Sequence, residues 1–108
     1  MTLAEFDTFL AEMKTNGQHV ILLDFLSQLG GGGVLDQDMK DMLVEAGVKD
    51  DYFHLTVPFD KRCHLAGLFG VTQAPFLVAV SVHNKAQREK DSLQVVEFIR
   101  RVKANNLP

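Results

Sequence analysis

Two hydrophobic rhythms alternate along the chain, one with helical spacing and one nearly continuous. In the first stretch the apolar positions are Leu3, Phe6, Phe9, Leu10 and Met13. That spacing gathers them on one face of a helix over residues 2–15. Thr2 and Glu5 fit a capping box at its start, and Gly17 in "TNGQ" suits the left-handed position that ends it. "HVILLDFL", residues 19–26, is almost unbroken in hydrophobicity, as in a strand covered on both faces inside a parallel or mixed sheet. Helical spacing returns over 34–46, with Leu35, Met39, Met42, Leu43 and Ala46 inward. Asp36 and Asp38 favour the N-terminal end of that helix electrostatically. "YFHLTV", residues 52–57, is a second strand rich in β-branched and aromatic side chains. "DKRCHLAGLFG" reads as a short helix over 61–69 closed by Gly70. "PFLVAVSV", residues 75–82, is a third strand that begins at a proline, where one is allowed. After the turn "HNK", with room for a short strand near 86–89, the last helix covers 91–104. It has Leu93, Val96, Ile99 and Val102 inward and Asp91 or Ser92 as cap. The order α-β-α-β-α-β-α predicts an α/β sandwich, a central sheet with helices on both faces.

Length changes this picture little: 108 residues fit a single domain, residues 1–108. Hydrophobic residues make up 46% and charged residues 23%, an ordinary globular balance. The net charge of -3 gives no global basic field to recruit nucleic acid. The local basic cluster in "KAQREK" and "IRRVK" lacks interleaved aromatics and reads as a solvated helix face. No apolar run approaches the roughly 20 residues that span a membrane, and the acidic, amphipathic start is unlike a signal peptide. The expected location is therefore cytoplasmic. The single cysteine, Cys63, has no internal partner for a disulfide. His19, His54, His64 and His83 show no metal-ligand spacing, and no cofactor or metal is implied.

The unusual stretch is "LGGGGV", residues 29–34, where four of the eight glycines stand together. Glycine carries the largest backbone-ordering cost of any residue, and the run lies inside what is expected to be one domain, between two elements of one core. Two stretches resemble the thioredoxin superfamily. "VILLDFLSQLGGGGVL" resembles that family's active-site strand and helix start, an apolar strand followed by Asp-Phe-Trp-Ala-x-Trp-Cys-Gly-Pro-Cys. Asp24 and Phe25 match, Leu26 and Leu29 take the two tryptophan places, and Ser27 takes the alanine place. Gly30 and Gly33 fall on the two cysteines, and Gly31 on the glycine between them. "FDKRCHLAGLFGVTQAPFLVAV" resembles the family's segment that leads into its cis-proline, with Pro75 in that place and Phe76 departing from the usual threonine.

The resemblance implies a thioredoxin-like three-layer α/β/α sandwich with a central mixed sheet, an N-terminal strand no longer than Met1–Leu3 and a shortened final hairpin. It implies a redox-inactive member, because thiol–disulfide exchange needs a thiolate and glycine supplies no sulfur. The expected function is non-catalytic protein binding, as a chaperone-like or assembly module. The expected partner is a protein or an extended peptide segment, and a homodimer is left open. In the family, the groove beside the active-site loop and the cis-proline loop holds extended polypeptide. The corresponding residues here are Leu29, Gly30, Gly31, Gly32, Gly33, Gln73, Ala74, Pro75 and Phe76. The Ala74–Pro75 bond is expected to be cis. Asp24 corresponds to the family's buried carboxylate, here a hydrogen-bonded relic without its cysteine, with Thr56 where the family often has lysine.

Two other readings compete. Cys63, beside Lys61, Arg62 and His64, could serve a single-thiol peroxidase or glutathione-dependent enzyme, since cations lower a thiol's pKa. The bland alternative, a small buried apolar residue, is preferred. The Gly30–Gly33 loop could hold a small anion at a helix N-terminus, although Asp36 and Asp38 oppose a phosphate.

Overall fold

The apolar run after His19 becomes the central strand β1, Val20–Leu26. Its side chains alternate between two separate cores. Ile21, Leu23 and Phe25 pack with Phe6 and Leu10 of α1 (Leu3–Thr15) and with Leu65, Ala66 and Phe69 of α3 (His64–Phe69). Val20 and Leu22 pack on the other face with Met39 and Leu43 of α2 (Gln37–Glu45) and with Val95, Phe98, Ile99 and Val102 of α4 (Val95–Asn105). Burial on both faces is why the segment carries so few polar residues. This computed structural model describes residues 1–60 and 62–106.

The sheet has four strands in the order β2-β1-β3-β4, where β2 is Phe53–Pro58, β3 is Phe76–Ser81 and β4 is Arg88–Glu89. β1 runs parallel to β2 and antiparallel to β3, and β3 is antiparallel to β4. The sheet is mixed and covered by α1 and α3 on one side and α2 and α4 on the other, a three-layer α/β/α sandwich. Phe6 and Phe69 meet edge to face at 5.9 Å in the first core, joining two helices distant in sequence. No strand precedes α1 among the described residues, so β2 forms an outer edge of the sheet.

The caps follow local chemistry. Thr2 Oγ1 accepts the Glu5 backbone N–H, and the Glu5 carboxylate accepts the Thr2 N–H, so the capping box is complete. These bonds, first the one from the Thr2 backbone, hold the Glu5 carboxyl below its ordinary value. Four expectations shift. The helix expected over 34–46 begins at Gln37, because Asp36 is extended and its carboxylate accepts the Met39 N–H. Met42 in this helix is 41% exposed rather than inward. The helix expected over 61–69 begins at His64, with Cys63 as its cap residue, and Lys61 lies outside the described residues. The last helix is preceded by a single 3-10 turn, Ser92–Gln94, which changes the rotation per residue and leaves Leu93 85% exposed.

Candidate functional site

β1 ends where β3 begins, since Phe25 and Phe76 are antiparallel partners. The loop after β1, the loop after β2 and the segment before β3 therefore gather at one end of the sheet. The carboxyl ends of β1 and β2 open into a crevice there, the usual place for a ligand in an open α/β sheet. The crevice is a groove of about 560 Å³ lined by Ser27, Gln28, Leu29, Phe59, Asp60, Thr72, Gln73 and Ala74. Leu29, Gln73 and Ala74 of the expected set thus meet at one surface, whereas Gly30, Gly31, Gly32, Gly33, Pro75 and Phe76 are not among the residues that line it. Leu29 is 99% exposed, an apolar side chain standing free at the groove's lip. The Ala74–Pro75 peptide bond is cis. Neither backbone group of Ala74 takes part in a loop hydrogen bond to the backbone among the described residues. Phe76 is half-buried and packs against the α1/α3 core.

The four glycines have different reasons to be glycine. Gly30 and Gly31 adopt φ of +93° and +90°, a left-handed region that side chains disfavour. Gly32 is exposed, has open space around it and does not adopt that region. Gly33 packs directly on the carboxylate of Asp24, and a Cβ built there would overlap it. Asp24 is only 2% exposed, and both its oxygens are engaged. Oδ1 accepts the Val34 N–H at 3.1 Å, and Oδ2 faces His54 Nε2 at 3.1 Å. A buried carboxylate needs such partners. It anchors the end of the glycine loop to the sheet.

His54 escaped the sequence reading. Asp24 and Thr56 are register partners between β1 and β2. The carboxylate is instead met from His54, two residues earlier on the same face of β2. The period-two alternation that puts Thr56 on Asp24's face puts His54 there as well, and only the longer side chain reaches.

The glycines do not form the start of α2. That helix begins at Gln37, beyond Gly33, and Asp36 already occupies one of its free N–H groups. The anion reading thus lacks the helix terminus on which it rested. Cys63 is half-buried at the start of α3, packed against the α1/α3 core. It lines a separate cleft of about 370 Å³ that includes Met1, Val57, Arg62 and His64. Among the described residues, no thiol, imidazole or amine lines the groove at Leu29. No group of three or more His, Cys, Asp or Glu among the described residues could hold a metal ion. No described helix is long and apolar enough to cross a membrane.

The site is a groove where three segments converge at one end of an α/β/α sandwich, with an exposed leucine among its lining residues. No protein-family profile and no curated protein matches the sequence. Solved structures do match. Chloroplastic thioredoxin z aligns with a TM-score of 0.57 at 13% identity, over 96% of this chain and 92% of that one. A malarial protein aligns with a TM-score of 0.51 at 20% identity, over 79% of this chain and 98% of that one. A mutant thioredoxin from Halobacterium salinarum NRC-1 is 22% identical, with a TM-score of 0.49, over 82% of this chain and 79% of that one. The chain has the thioredoxin-like α/β fold.

Proposed function

We propose that the protein is a redox-inactive, non-catalytic protein-binding module that takes an extended polypeptide segment in the groove lined by Ser27–Leu29, just ahead of the glycine loop, and by Thr72–Ala74. The observation that carries this reading is Leu29, wholly exposed in a groove that Ala74 also lines, with no loop backbone bond to Ala74 among the described residues. Burial of the Leu29 side chain under a partner would contribute about 1.5–3 kcal/mol. Ala74 can offer main-chain hydrogen bonds, and the exposed glycines let a partner's backbone approach closely. This is strand-like addition, in which main-chain bonds supply affinity and side-chain pockets supply choice. Gly30 and Gly33 carry no sulfur at the positions that resemble the family's dithiol, so the groove binds and releases without exchanging disulfides.

The test is selection of displayed random dodecapeptides against the full chain, repeated with Leu29→Asp. The reading expects enriched peptides with apolar residues, each weakened at least tenfold by the substitution. No enrichment, or binding indifferent to Leu29→Asp, contradicts it.

A further inference from the structure

At the end of the sheet remote from the glycine loop, two imidazoles face each other. His19 Nδ1 lies 2.9 Å from His83 Nε2, with ring centroids 5.2 Å apart and planes inclined by 33°. Both residues are half-buried and both backbones are fixed by the pairing of β1 with β3. The His19 carbonyl accepts the Val82 N–H at 3.0 Å, and the His83 N–H donates to Ser81 Oγ at 3.1 Å. The two side chains are thus presented side by side from one end of the two central strands before any ligand arrives.

We infer that His19 and His83 form a bidentate site for a late transition-metal dication that favours square-planar or tetragonal nitrogen coordination, such as Cu²⁺ or Ni²⁺. The separation is close to the one that adjacent corners of such an ion require. Two metal–nitrogen bonds of about 2.0–2.1 Å at a right angle place their nitrogens about 2.9 Å apart, whereas tetrahedral angles need about 3.3 Å. The observed spacing suits adjacent corners of a tetragonal ion better than a tetrahedral zinc. Each ring swings so that its nitrogen lone pair points at a common centre instead of at its neighbour. In the neutral pair, one ring donates an N–H to the other. On metal binding that ring passes the proton through solvent to its outer nitrogen, so both imidazoles stay neutral and no net proton is released. Water fills the remaining coordination positions. Lys14, on the last turn of α1, lies near enough for its charge to act on His83, and it opposes a dication. Its side chain is exposed and free to turn outward.

The experiment is calorimetric titration of the full chain, carrying no polyhistidine tag, with NiCl₂, CuCl₂ and ZnCl₂ at pH 7.5. One equivalent of Ni²⁺ and of Cu²⁺ binds, each at least tenfold tighter than Zn²⁺. His19→Gln and His83→Gln each weaken binding at least tenfold. His54→Gln and His64→Gln change it less than twofold, and Lys14→Gln tightens it. A second measurement on unaltered protein covers variants that fail to fold: the paramagnetic resonance spectrum of bound Cu²⁺ shows tetragonal geometry with two equatorial imidazole nitrogens. Absence of a one-equivalent site, binding untouched by both His19→Gln and His83→Gln, or a Cu²⁺ spectrum lacking the two nitrogens overturns the inference.

Discussion

Adding one methyl group to each of three neighbouring glycines should have three different effects. At Gly33 the methyl would occupy the place of the Asp24 carboxylate. Either Asp24 moves and gives up its bonds to Val34 and His54, or the loop lifts and breaks the first of these. Overpacking a tight site costs about 1–3 kcal/mol, and a hydrogen bond to a charged group is worth about 1.5–3 kcal/mol. The two overlap, so Gly33→Ala should lose about 2–4 kcal/mol in total. For a domain of this size that lowers the melting temperature by about 10 °C or more. Gly31→Ala meets no neighbour but is forced into a left-handed conformation, at about 1–2 kcal/mol. Gly32→Ala meets neither obstacle and should be neutral or stabilise by up to about 1 kcal/mol, by restricting the unfolded chain. Urea denaturation of the three variants reads this series directly. A double-mutant cycle with Asp24→Ala isolates the contact, because Gly33→Ala should lose most of its effect once the carboxylate is gone. If Gly33→Ala is no worse than Gly32→Ala, or remains equally damaging beside Asp24→Ala, the loop is not anchored as described.

Three further outcomes are expected. The protein should not reduce insulin disulfides above the background of dithiothreitol alone, and Gly33→Cys should destabilise it as Gly33→Ala does, since its Cβ meets the same carboxylate. Cys63→Ser should lower stability by about 1 kcal/mol, by placing a hydroxyl among apolar neighbours, and should leave peptide binding in the groove unchanged. Glu5, whose carboxyl is held below its ordinary value of 4.5, contributes stability above that pH and loses it as pH falls through its folded value. Glu5→Gln should therefore show a smaller drop in unfolding free energy between pH 6 and pH 3 than the parent, measured by denaturant titration at each pH.

The layers of the fold could be read from the chain because burial on both faces leaves a plain mark. β1 has to be apolar at every position that touches either core, and Asp24 stands out there as the one carboxylate. The resemblance put Thr56 on the neighbouring strand, and the structure makes it the register partner of Asp24. Hydrophobicity alone misplaced Met42 and Leu93. Each lies near an apolar stripe in sequence, but Met42 sits at the stripe's margin and the 3-10 turn rotates Leu93 away from it. The start of α2 was set by a hydrogen bond, that of Asp36 to Met39, and apolar spacing carries no trace of it. The same limit hid His54. Its reach to Asp24 depends on side-chain length across two strands, and its position in the pattern is that of any half-buried strand residue. The pairing of His19 with His83 joins residues far apart in sequence, so ligand spacing along the chain says nothing of it.

The most direct test of the central claim is an amide chemical-shift map of the isotopically labelled full chain, recorded while the tightest of the selected dodecapeptides is titrated in. The account predicts that the largest shifts fall on Ser27–Gly32 and Thr72–Ala74, with the Ala74 amide moving as it gains a hydrogen bond, and that Leu29→Asp abolishes them. Shifts centred on the Cys63 cleft or on α2 and α4, with the groove unmoved, would contradict it.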